Sequence, residues 1–174
     1  LKGLIFSLAV PPSPVDGMRH ARGIVLRDTY LRLEQNMIAT WHIKFKKEFG
    51  EWRGGANGEP AKARILWRLE DDTLLDMEVL FAALGTHNVK EFCDGFEATW
   101  AFVNGLDAMP SNLLTHLRPR TGRWPPPEHR PENWREFYLH HRKVWGDMNA
   151  PDEDNWTHGR NPEGSDPGQR GFVE

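Results

Sequence analysis

Short apolar runs bounded by turn-forming residues recur along the chain and predict β-strands. The runs lie at residues 23–26, 63–69, 74–81, 98–103 and 143–146. The two runs on either side of the polar segment 70–73 predict a β-hairpin. The run at 98–103 is almost entirely apolar, which is typical of a strand buried on both faces. Periodicity leaves the apolar run at residues 3–10 open between the end of a helix and a short buried strand.

Helical spacing of apolar residues predicts one long helix and two short ones. The long helix begins at a cap provided by Asp28 or Thr29 and ends near Gly50. Its apolar positions are Leu31, Leu33, Met37, Ile38, Trp41 and Phe45. Residues 88–93 and the segment that follows Pro110-Ser111 predict the short helices.

Strands separated by helical patterns favour an α/β sheet, and open sheets of this kind bind ligands beyond the carboxyl ends of their strands. Two predicted strand ends carry polar residues, Asn104-Gly105 and Asp147-Met148-Asn149. The proline-dense segment 124–131 predicts no regular structure. Candidate ligand contacts are therefore expected at these two strand ends.

The apolar content falls in the last part of the chain. We predict a domain at residues 1–151 and a polar, loosely ordered tail at residues 152–174. Trp156 and Phe172 are the tail residues expected to make local contacts.

Composition excludes several classes of protein. The 174-residue chain carries a formal net charge of -3, so any contact with nucleic acid would depend on a local basic patch. With Cys93 as its single cysteine, the chain can form no intramolecular disulfide, which is consistent with a reducing cytoplasm. The longest apolar stretch, residues 4–10, is far shorter than the roughly 20 residues that span a bilayer, and it lacks the flanks of a signal peptide. We expect no membrane partner.

Several segments, taken in chain order, resemble segments of one known family. They are residues 12–19, 24–30, 41 with 45–49, 75–84, 98–104 with 108–110, 120–125 and 146–156. Ala-Thr-Trp-Ala-Phe-Val-Asn at 98–104 resembles a Walker B strand, and Asp-Met-Asn-Ala-Pro at 147–151 resembles a segment that couples hydrolysis to motion. Together they resemble the ATPase domain of the terminase large subunit of tailed phages, over most of residues 1–160.

The resemblance implies a fold, cofactors and partners. The fold would be a partial RecA-like P-loop NTPase sheet with flanking helices and a β-hairpin. The cofactors would be ATP and Mg²⁺, in a motor that uses ATP hydrolysis to move double-stranded DNA through a portal ring into a prohead. The implied partners are double-stranded DNA, the portal protein and the small terminase subunit, in the cytoplasm of a host that carries the phage or prophage.

The resemblance also implies roles for residues at the two strand ends. Asn104 would contact the nucleotide or Mg²⁺, although an Asn-Gly pair is also an ordinary turn. Asp147 and Asn149 would sense the γ-phosphate and couple it to motion, or they would simply end a strand.

Basic and aromatic residues have two readings each. Arg118, Arg120 and Arg123 would contact DNA phosphate or the nucleotide of a neighbouring subunit, or they would form a solvated loop. The tryptophans could stack on single strands, but three of them sit in apolar patterns and are predicted to be core. These three are Trp41, Trp100 and Trp145.

The chain departs from the family in two places that matter for catalysis. No Gly-x-x-x-x-Gly-Lys-Ser/Thr phosphate loop is present, and the chain starts at Leu1 as if within the helix that follows this loop, so we expect a fragment. Gly105 stands where the family has its catalytic Glu, and Asp107 is expected to point elsewhere. Without these two features we assign no catalytic residue and expect no ATPase activity from this chain alone. The sequence also lacks the family's nuclease domain, so DNA cleavage is not assigned to it.

Two other classes of function stay open. One is a metal-dependent hydrolase, for which candidate ligands are His140, His141, Asp147, Asp152, Asp154 and His158. Adjacent histidines in a strand point to opposite faces, and none of the familiar metal-binding spacings is present, so we predict no metal ligands. The other is a non-enzymatic phage or prophage interaction protein, or a degenerate remnant.

Overall fold

The computed structural model describes residues 2–55, 59–141, 143–150, 152–158 and 171–173. The strands are β1 Met18–Arg27, β2 Gly50–Arg53, β3 Ala61–Arg68, β4 Leu74–Ala83, β5 Trp100–Asn104, β6 Lys143–Met148 and β7 Gly171–Val173. They form one sheet in the order β2-β3-β4-β1-β5-β6-β7. Strands β4, β1, β5 and β6 are parallel to one another, whereas β2, β3 and β7 pair antiparallel to their neighbours.

Helices flank this sheet. They are α1 Lys2–Leu8, α2 Tyr30–Leu33, α3 Ala39–Lys44, α4 Val89–Asp94, α5 Leu113–Leu117 and α6 Trp134–His141. A π-helical turn, Glu34–Ile38, joins α2 and α3 into one continuous helix at residues 30–44. The predicted α/β sheet with flanking helices and a β-hairpin is confirmed. None of the helices in the described part of the chain has the length and apolar character needed to cross a membrane.

Strand β1 lies at the centre of the sheet. It pairs with β4 along its whole length and with β5 over its second half. Ile24, Val25 and Leu26 are all buried, as expected for a β-branched run with helices on both faces. Because neighbouring residues of a strand point to opposite faces, this run contributes to the core on both sides of the sheet.

Two buried clusters form the core, one on each face of the sheet. On one face, Leu26 and Val103 belong to a cluster with Cys93 of α4 and with Leu113 and Leu117 of α5. The other cluster contains sheet residues together with residues of the 30–44 helix and α6. Its largest aromatic side chains include Trp100, Trp134 and Trp145, and Trp41 packs against it half-buried. The predicted core positions of Trp100 and Trp145 are confirmed.

The hairpin β3–β4 forms because its turn and its apolar pattern agree. Alternate residues of β3 are buried, namely Ala61, Ala63 and Ile65, while those between them face solvent. The turn is closed by a hydrogen bond from the Leu69 N–H to the Thr73 carbonyl at 2.8 Å. This hairpin extends the parallel part of the sheet on one side.

The π-helical turn corrects the predicted face of the long helix. Leu33 and Ile38 are both buried although they stand five positions apart, a spacing that a regular α-helix places on different faces. One π turn, with its i to i+5 bonding, brings them onto the same face. Leu31, predicted to be on the apolar face, is 63% exposed. The helix also ends at Lys44 rather than near Gly50 because Phe45 adopts an extended conformation.

The sequence pattern leaves residues 3–10 open between the end of a helix and a short strand. The structure shows a helix, α1, that packs on a tryptophan. A Cβ atom added at Gly3 would lie 2.6 Å from the Trp100 ring, and one added at Gly23 of β1 would lie 2.0 Å from it. The Trp100 indole Nε1 donates to Ser7 Oγ at 2.8 Å. The absence of side chains at both glycines is therefore what admits the indole between α1 and β1.

One helix was not predicted, and two local predictions are wrong. Helix α6 lies at residues 134–141, for which the sequence analysis predicts no element, with Trp134 buried against the core. His140 and His141 consequently belong to a helix and not to a strand. Strand β6 runs through Met148, so Asp147 lies within the strand and not after it.

In the described part of the tail, contacts with the rest of the chain are made around Trp156 and at residues 171–173. The Trp156 indole Nε1 donates to the Met109 carbonyl at 2.7 Å, which is the predicted local contact of that residue. Residues 171–173 form β7 and pair with β6, where the pattern predicts a loosely ordered segment. Residues 159–170 lie outside the described residues, and the domain division at residue 151 stays a prediction.

Candidate functional site

Polar residues at the carboxyl ends of three parallel strands meet at one edge of the sheet. Arg27 ends β1, Asn104 ends β5, and Asp147 lies one residue before the end of β6. The strand register sets Asn104 directly beside Asp147. Parallel strands end on the same side, where sheets of this kind bind ligands. The structure brings together Asn104 and Asp147 and adds Arg27, to which the sequence analysis assigns no role.

A continuous set of hydrogen bonds, here called the strand-end network, joins these three side chains. Arg27 Nη1 donates to Asn104 Oδ1 at 2.8 Å. Asn104 Nδ2 donates to both carboxylate oxygens of Asp147, at 2.9 and 2.8 Å. The Gly105 backbone N–H donates to Asp147 Oδ1 at 2.7 Å. The arrangement fixes the Asn104 amide, with its oxygen towards the guanidinium and its nitrogen towards the carboxylate.

Arg27 is also held from its other side. Its Nε atom lies 3.1 Å from Asp28 Oδ1, and Asp28 Oδ2 accepts a hydrogen bond from Arg32 Nη1 at 2.8 Å. The side chain of Arg27 is only 15% exposed, so little of its charge faces bulk water. The guanidinium therefore stands between the carboxylate of Asp28 and the amide of Asn104.

Gly105 has a backbone conformation that makes room for Arg27. Its φ of 72° and ψ of 59° are left-handed, a conformation that favours glycine. A Cβ atom at this position would lie 2.1 Å from Arg27 Nη1. A glutamate at position 105, which the family resemblance would require for catalysis, therefore does not fit beside Arg27 in this arrangement.

A cleft of about 790 Å³ opens beside the strand-end network, over one face of the sheet. Residues of α1 and of the 30–44 helix, including its π-helical turn, line its sides. Aromatic sheet residues line it as well, namely Phe81, Trp100, Phe102 and Trp145. Ligand sites of this size are mostly apolar with a few convergent polar groups.

The charges that line this cleft favour an anion. Three cationic side chains line it, Lys2, Arg27 and Lys44, against the single carboxylate of Asp147. That carboxylate already accepts three N–H contacts, which offset its negative charge. Asn149, the other predicted coupling residue, is exposed and also lines the cleft.

Magnesium and phosphate differ in how well these residues suit them. Mg²⁺ takes oxygen ligands from carboxylates, carbonyls and water. Both oxygens of Asp147 face N–H donors, and Asn104 Oδ1 accepts from Arg27, so these residues do not fit Mg²⁺ as they stand. The guanidinium of Arg27 and the ammonium of Lys44 fit phosphate oxygens.

Asp107 does not replace the missing glutamate at this edge. It lies in the short 3-10 turn Leu106–Ala108 and is absent from the residues that line the cleft. Its Oδ1 atom is buried without a hydrogen-bond partner.

The three loop arginines lie away from the strand-end network. The Arg120 carbonyl accepts the Ala98 N–H, which places this loop at the amino end of β5, opposite Asn104. Arg120 Nη2 pairs with Asp94, and Arg123 Nε donates to the Pro119 carbonyl at 2.9 Å. Arg118 and Arg123 are exposed, whereas Arg120 is half-buried. A contact between these residues and DNA phosphate stays a prediction.

The candidate ligands of a metal-dependent hydrolase do not converge in the part of the chain that the structure describes. Asp147 is held by Asn104 and Gly105, and Asp152, Asp154 and His158 are exposed. Among the described side chains, one other group of potential ligands converges, and it was not predicted from the sequence. Burial raises the pKa of the Cys93 thiol to about 11, so this residue is a neutral core side chain near pH 7.

Neither a family model nor a curated protein matches this chain. Among solved structures, the large terminase of a thermophilic bacteriophage, in complex with ADP, is similar over 58% of this chain with a TM-score of 0.42 and 12% identity. The large terminase ATPase domain of Thermus phage P74-26 is similar over 88% of this chain with a TM-score of 0.42 and 10% identity.

This chain spans 23% of the length of the first of these solved structures and 54% of the second. Both belong to the class of protein that the sequence segments resemble. The likenesses concern the overall fold and assign no role to any residue of this chain.

Proposed function

We propose that this chain is part of the ATPase of a DNA-packaging motor of the terminase large subunit kind, with a RecA-like sheet whose carboxyl edge contacts nucleotide phosphate. The observation that carries the proposal is the strand-end network, which joins β1, β5 and β6 beside a cleft lined by three cations. The order of the sequence segments that resemble the family supports the same reading.

Arg27 is the residue that would meet phosphate. A phosphate oxygen that attracts its guanidinium competes with Asn104 Oδ1 for the same donor, since Nη1 now points at the amide. If Arg27 leaves Asn104, the amide loses its fixed orientation and with it the two contacts to Asp147. Phosphate binding at β1 would thus change the hydrogen bonds of Asp147 in β6. This is the coupling role proposed for Asp147 and Asn149.

ATP hydrolysis requires a phosphate loop and a catalytic base, which the 174 residues of this sequence do not supply. The sequence contains no phosphate-loop motif, and Gly105 has no side chain to act as a base. The carboxylate of Asp147 beside the cleft already accepts hydrogen bonds. We therefore assign phosphate contact and coupling to this chain, and no hydrolytic step. In this proposal these 174 residues do not hydrolyse ATP on their own.

DNA contact is proposed for Arg118 and Arg123, because both are exposed, and not for Arg120, whose guanidinium pairs with Asp94. Replacing both exposed arginines with glutamine should weaken binding to short duplex DNA and lower its salt dependence by about one to two phosphate contacts. Arg53→Gln, which removes one exposed charge from strand β2, is the matched control for each of the two replacements made alone. The portal protein, the small terminase subunit, the host cytoplasm and a phage or prophage origin belong to the same proposal.

The test of the nucleotide proposal is an NMR titration of the chain with ADP and ATP, with adenosine as the ligand that lacks phosphate. The signals to follow are the Gly105 backbone amide and the Asn104 side-chain amide, which report on the network directly. We expect both to shift with ADP and ATP but not with adenosine, with Kd on the order of 1 mM, which is about -4 kcal/mol.

Arg27→Gln should abolish these shifts, and Arg53→Gln should leave them unchanged. No shift at the network with either nucleotide would remove the nucleotide assignment. Equal effects of the two variants would have the same consequence. In either case a non-enzymatic interaction protein becomes the better description.

A further inference from the structure

A second group of polar side chains, here called the histidine cluster, lies at the amino end of β1. Asp16 comes from the turn before β1, His20 from the start of β1, and His129 from the short 3-10 helix Pro127–His129. One ligand atom of each residue lies within 4.8 Å of the others. The carboxylate and the two imidazoles are the only such group among the side chains that the structure describes.

The distances within the histidine cluster suit a small cation. His20 Nε2 lies 3.0 Å from Asp16 Oδ2, and His129 Nδ1 lies 3.8 Å from the same oxygen. A tetrahedral ion bound at about 2.1 Å from each ligand holds its donor atoms roughly 3.4 Å apart. These two separations bracket this value, and the third, between the two imidazole nitrogens, is within 4.8 Å.

The side of His20 away from Asp16 faces a second carboxylate. His20 Nδ1 lies 3.6 Å from Asp76 Oδ2, and Asp76 is held in place by Arg64, whose Nε and Nη2 donate to its two oxygens at 2.8 Å each. A histidine that binds a metal through one ring nitrogen usually directs the other towards a carboxylate, which fixes the ring and raises its basicity. The side chains of His20 and Asp76 are 14% and 16% exposed, so both are held in a defined place.

The rings of the two histidines contact each other at 4.6 Å between centroids, nearly perpendicular at 70°. His129 Nδ1 also lies 3.0 Å from Ser13 Oγ. Asp16 Oδ1 accepts the Met18 N–H at 3.0 Å, which anchors the carboxylate. His20 Nε2 lies near both carboxylate oxygens, at 3.2 Å from Oδ1 and 3.0 Å from Oδ2, and His129 Nδ1 lies nearest to Oδ2. The turn before β1, the start of β1 and the 3-10 helix Pro127–His129, which is remote from them in sequence, thus bring one ligand atom each within 4.8 Å of one another.

We propose that Asp16, His20 and His129 bind a divalent transition-metal ion of the Zn²⁺ class through Oδ2, Nε2 and Nδ1. Two imidazoles and one carboxylate suit Zn²⁺ better than Mg²⁺ or Ca²⁺, which prefer oxygen ligands alone. Three protein ligands leave the fourth position of a tetrahedral ion to water. The ion would join the turn before β1 to the proline-rich segment around His129, independently of the nucleotide proposal at the opposite end of β1.

The test is calorimetric titration of the untagged chain with ZnCl₂, together with the visible spectrum of the Co²⁺ complex, which reports tetrahedral coordination. We expect one ion per chain. His129→Ala and Asp16→Asn should each weaken binding by more than about 100-fold, and Asp76→Asn by about 10- to 100-fold. His87→Ala removes an exposed histidine outside the cluster and should leave the affinity unchanged.

A second measurement uses the unmodified chain, so that the proposal can be tested even if a variant folds poorly. Co²⁺ should shift the ring signals of His20 and His129 strongly in the NMR spectrum, and those of His42 and His87 little. Binding that His87→Ala weakens as much as His129→Ala does would overturn the proposal. So would a native chain that binds no ion, or a Co²⁺ complex whose shifts fall on other histidines.

Discussion

At the carboxyl end of β1, the strand-end network matches donors with acceptors, since three N–H contacts meet the one carboxylate of Asp147. At the amino end, the histidine cluster brings one oxygen of a carboxylate and one nitrogen of each of two imidazoles within 4.8 Å of one another. A matched network stabilises the fold without help, whereas a group of potential metal ligands gains stability from a cation placed among them. The same central strand therefore carries at one end a complete hydrogen-bond network, for which we propose phosphate contact, and at the other a candidate metal site.

The largest expected contrast between the two ends is in their contribution to stability without metal. Asp147→Ala leaves the Asn104 amide and the Gly105 N–H without their acceptor and should lower the free energy of unfolding by about 2–3 kcal/mol. Asp16→Ala removes an exposed carboxylate and should cost below about 1 kcal/mol. Urea unfolding in the presence of a chelator measures both. Equal costs would show that the histidine cluster is as much a structural network as the other end.

A second contrast uses two glycines with the same φ of 72°, Gly105 at the carboxyl end and Gly17 at the amino end. An alanine at either position incurs the left-handed strain of about 1–2 kcal/mol. Only at Gly105 does the new methyl group displace Arg27, whereas nothing lies within 4 Å of a Cβ at Gly17. We expect Gly105→Ala to cost about 1 kcal/mol more than Gly17→Ala, the value of the lost bond to Asn104.

Urea unfolding measures this difference as well. The Asn104 side-chain amide signal should move in Gly105→Ala and stay in place in Gly17→Ala. If the two variants unfold at the same free energy, Arg27 contributes nothing through its bond to Asn104.

The smallest expected effect concerns Asp71, an exposed carboxylate near the amino end of β1. Hydrogen bonds from the Thr73 hydroxyl and N–H, with one from Arg19, lower its pKa to about 2. Because the pKa is lower in the folded state, its contribution to stability is present above the unfolded value of about 3.9 and is lost as pH falls through about 2. An NMR titration of the Asp71 carboxyl carbon measures this value.

Thr73→Val should raise the pKa of Asp71 more than Arg19→Gln does, because the hydroxyl bond is the largest cause of the shift. The reverse order would assign the shift to the charge of Arg19 instead. Asp71 is thus a carboxylate stabilised by hydrogen-bond donors of the protein alone. It is the reference for comparison with Asp16, which we propose to bind a metal ion.

The sheet could be predicted from the sequence because its strands are short apolar runs with clear ends. β5 is buried on both faces and the β3–β4 turn is polar, so pattern and turn chemistry agree. The 30–44 helix could be located, but not its buried face, because a π turn changes the register after Leu33. α6 was missed because its apolar residues directly follow a proline-rich stretch and include Leu139, which is 69% exposed.

The candidate site could be predicted only in part. Asn104 and Asp147 follow from the rule that parallel strands end together. Arg27 carries no signal of its own, since a basic residue at a strand end is ordinary. The histidine cluster could not be found from spacing, because His129 is remote in sequence from Asp16 and His20 and is brought near them only by the folded loops.

The close approach of Trp100 to two glycines has a consequence for how this sequence can evolve. The indole fills the space where side chains at Gly3 and Gly23 would stand, and it donates to Ser7. A methyl group acquired at either glycine is tolerable only after position 100 becomes smaller, and a smaller residue there leaves a void that a bulkier neighbour can fill. The three positions should therefore covary among homologues, so that substitution history records the docking of α1 onto the sheet even where sequence identity has decayed.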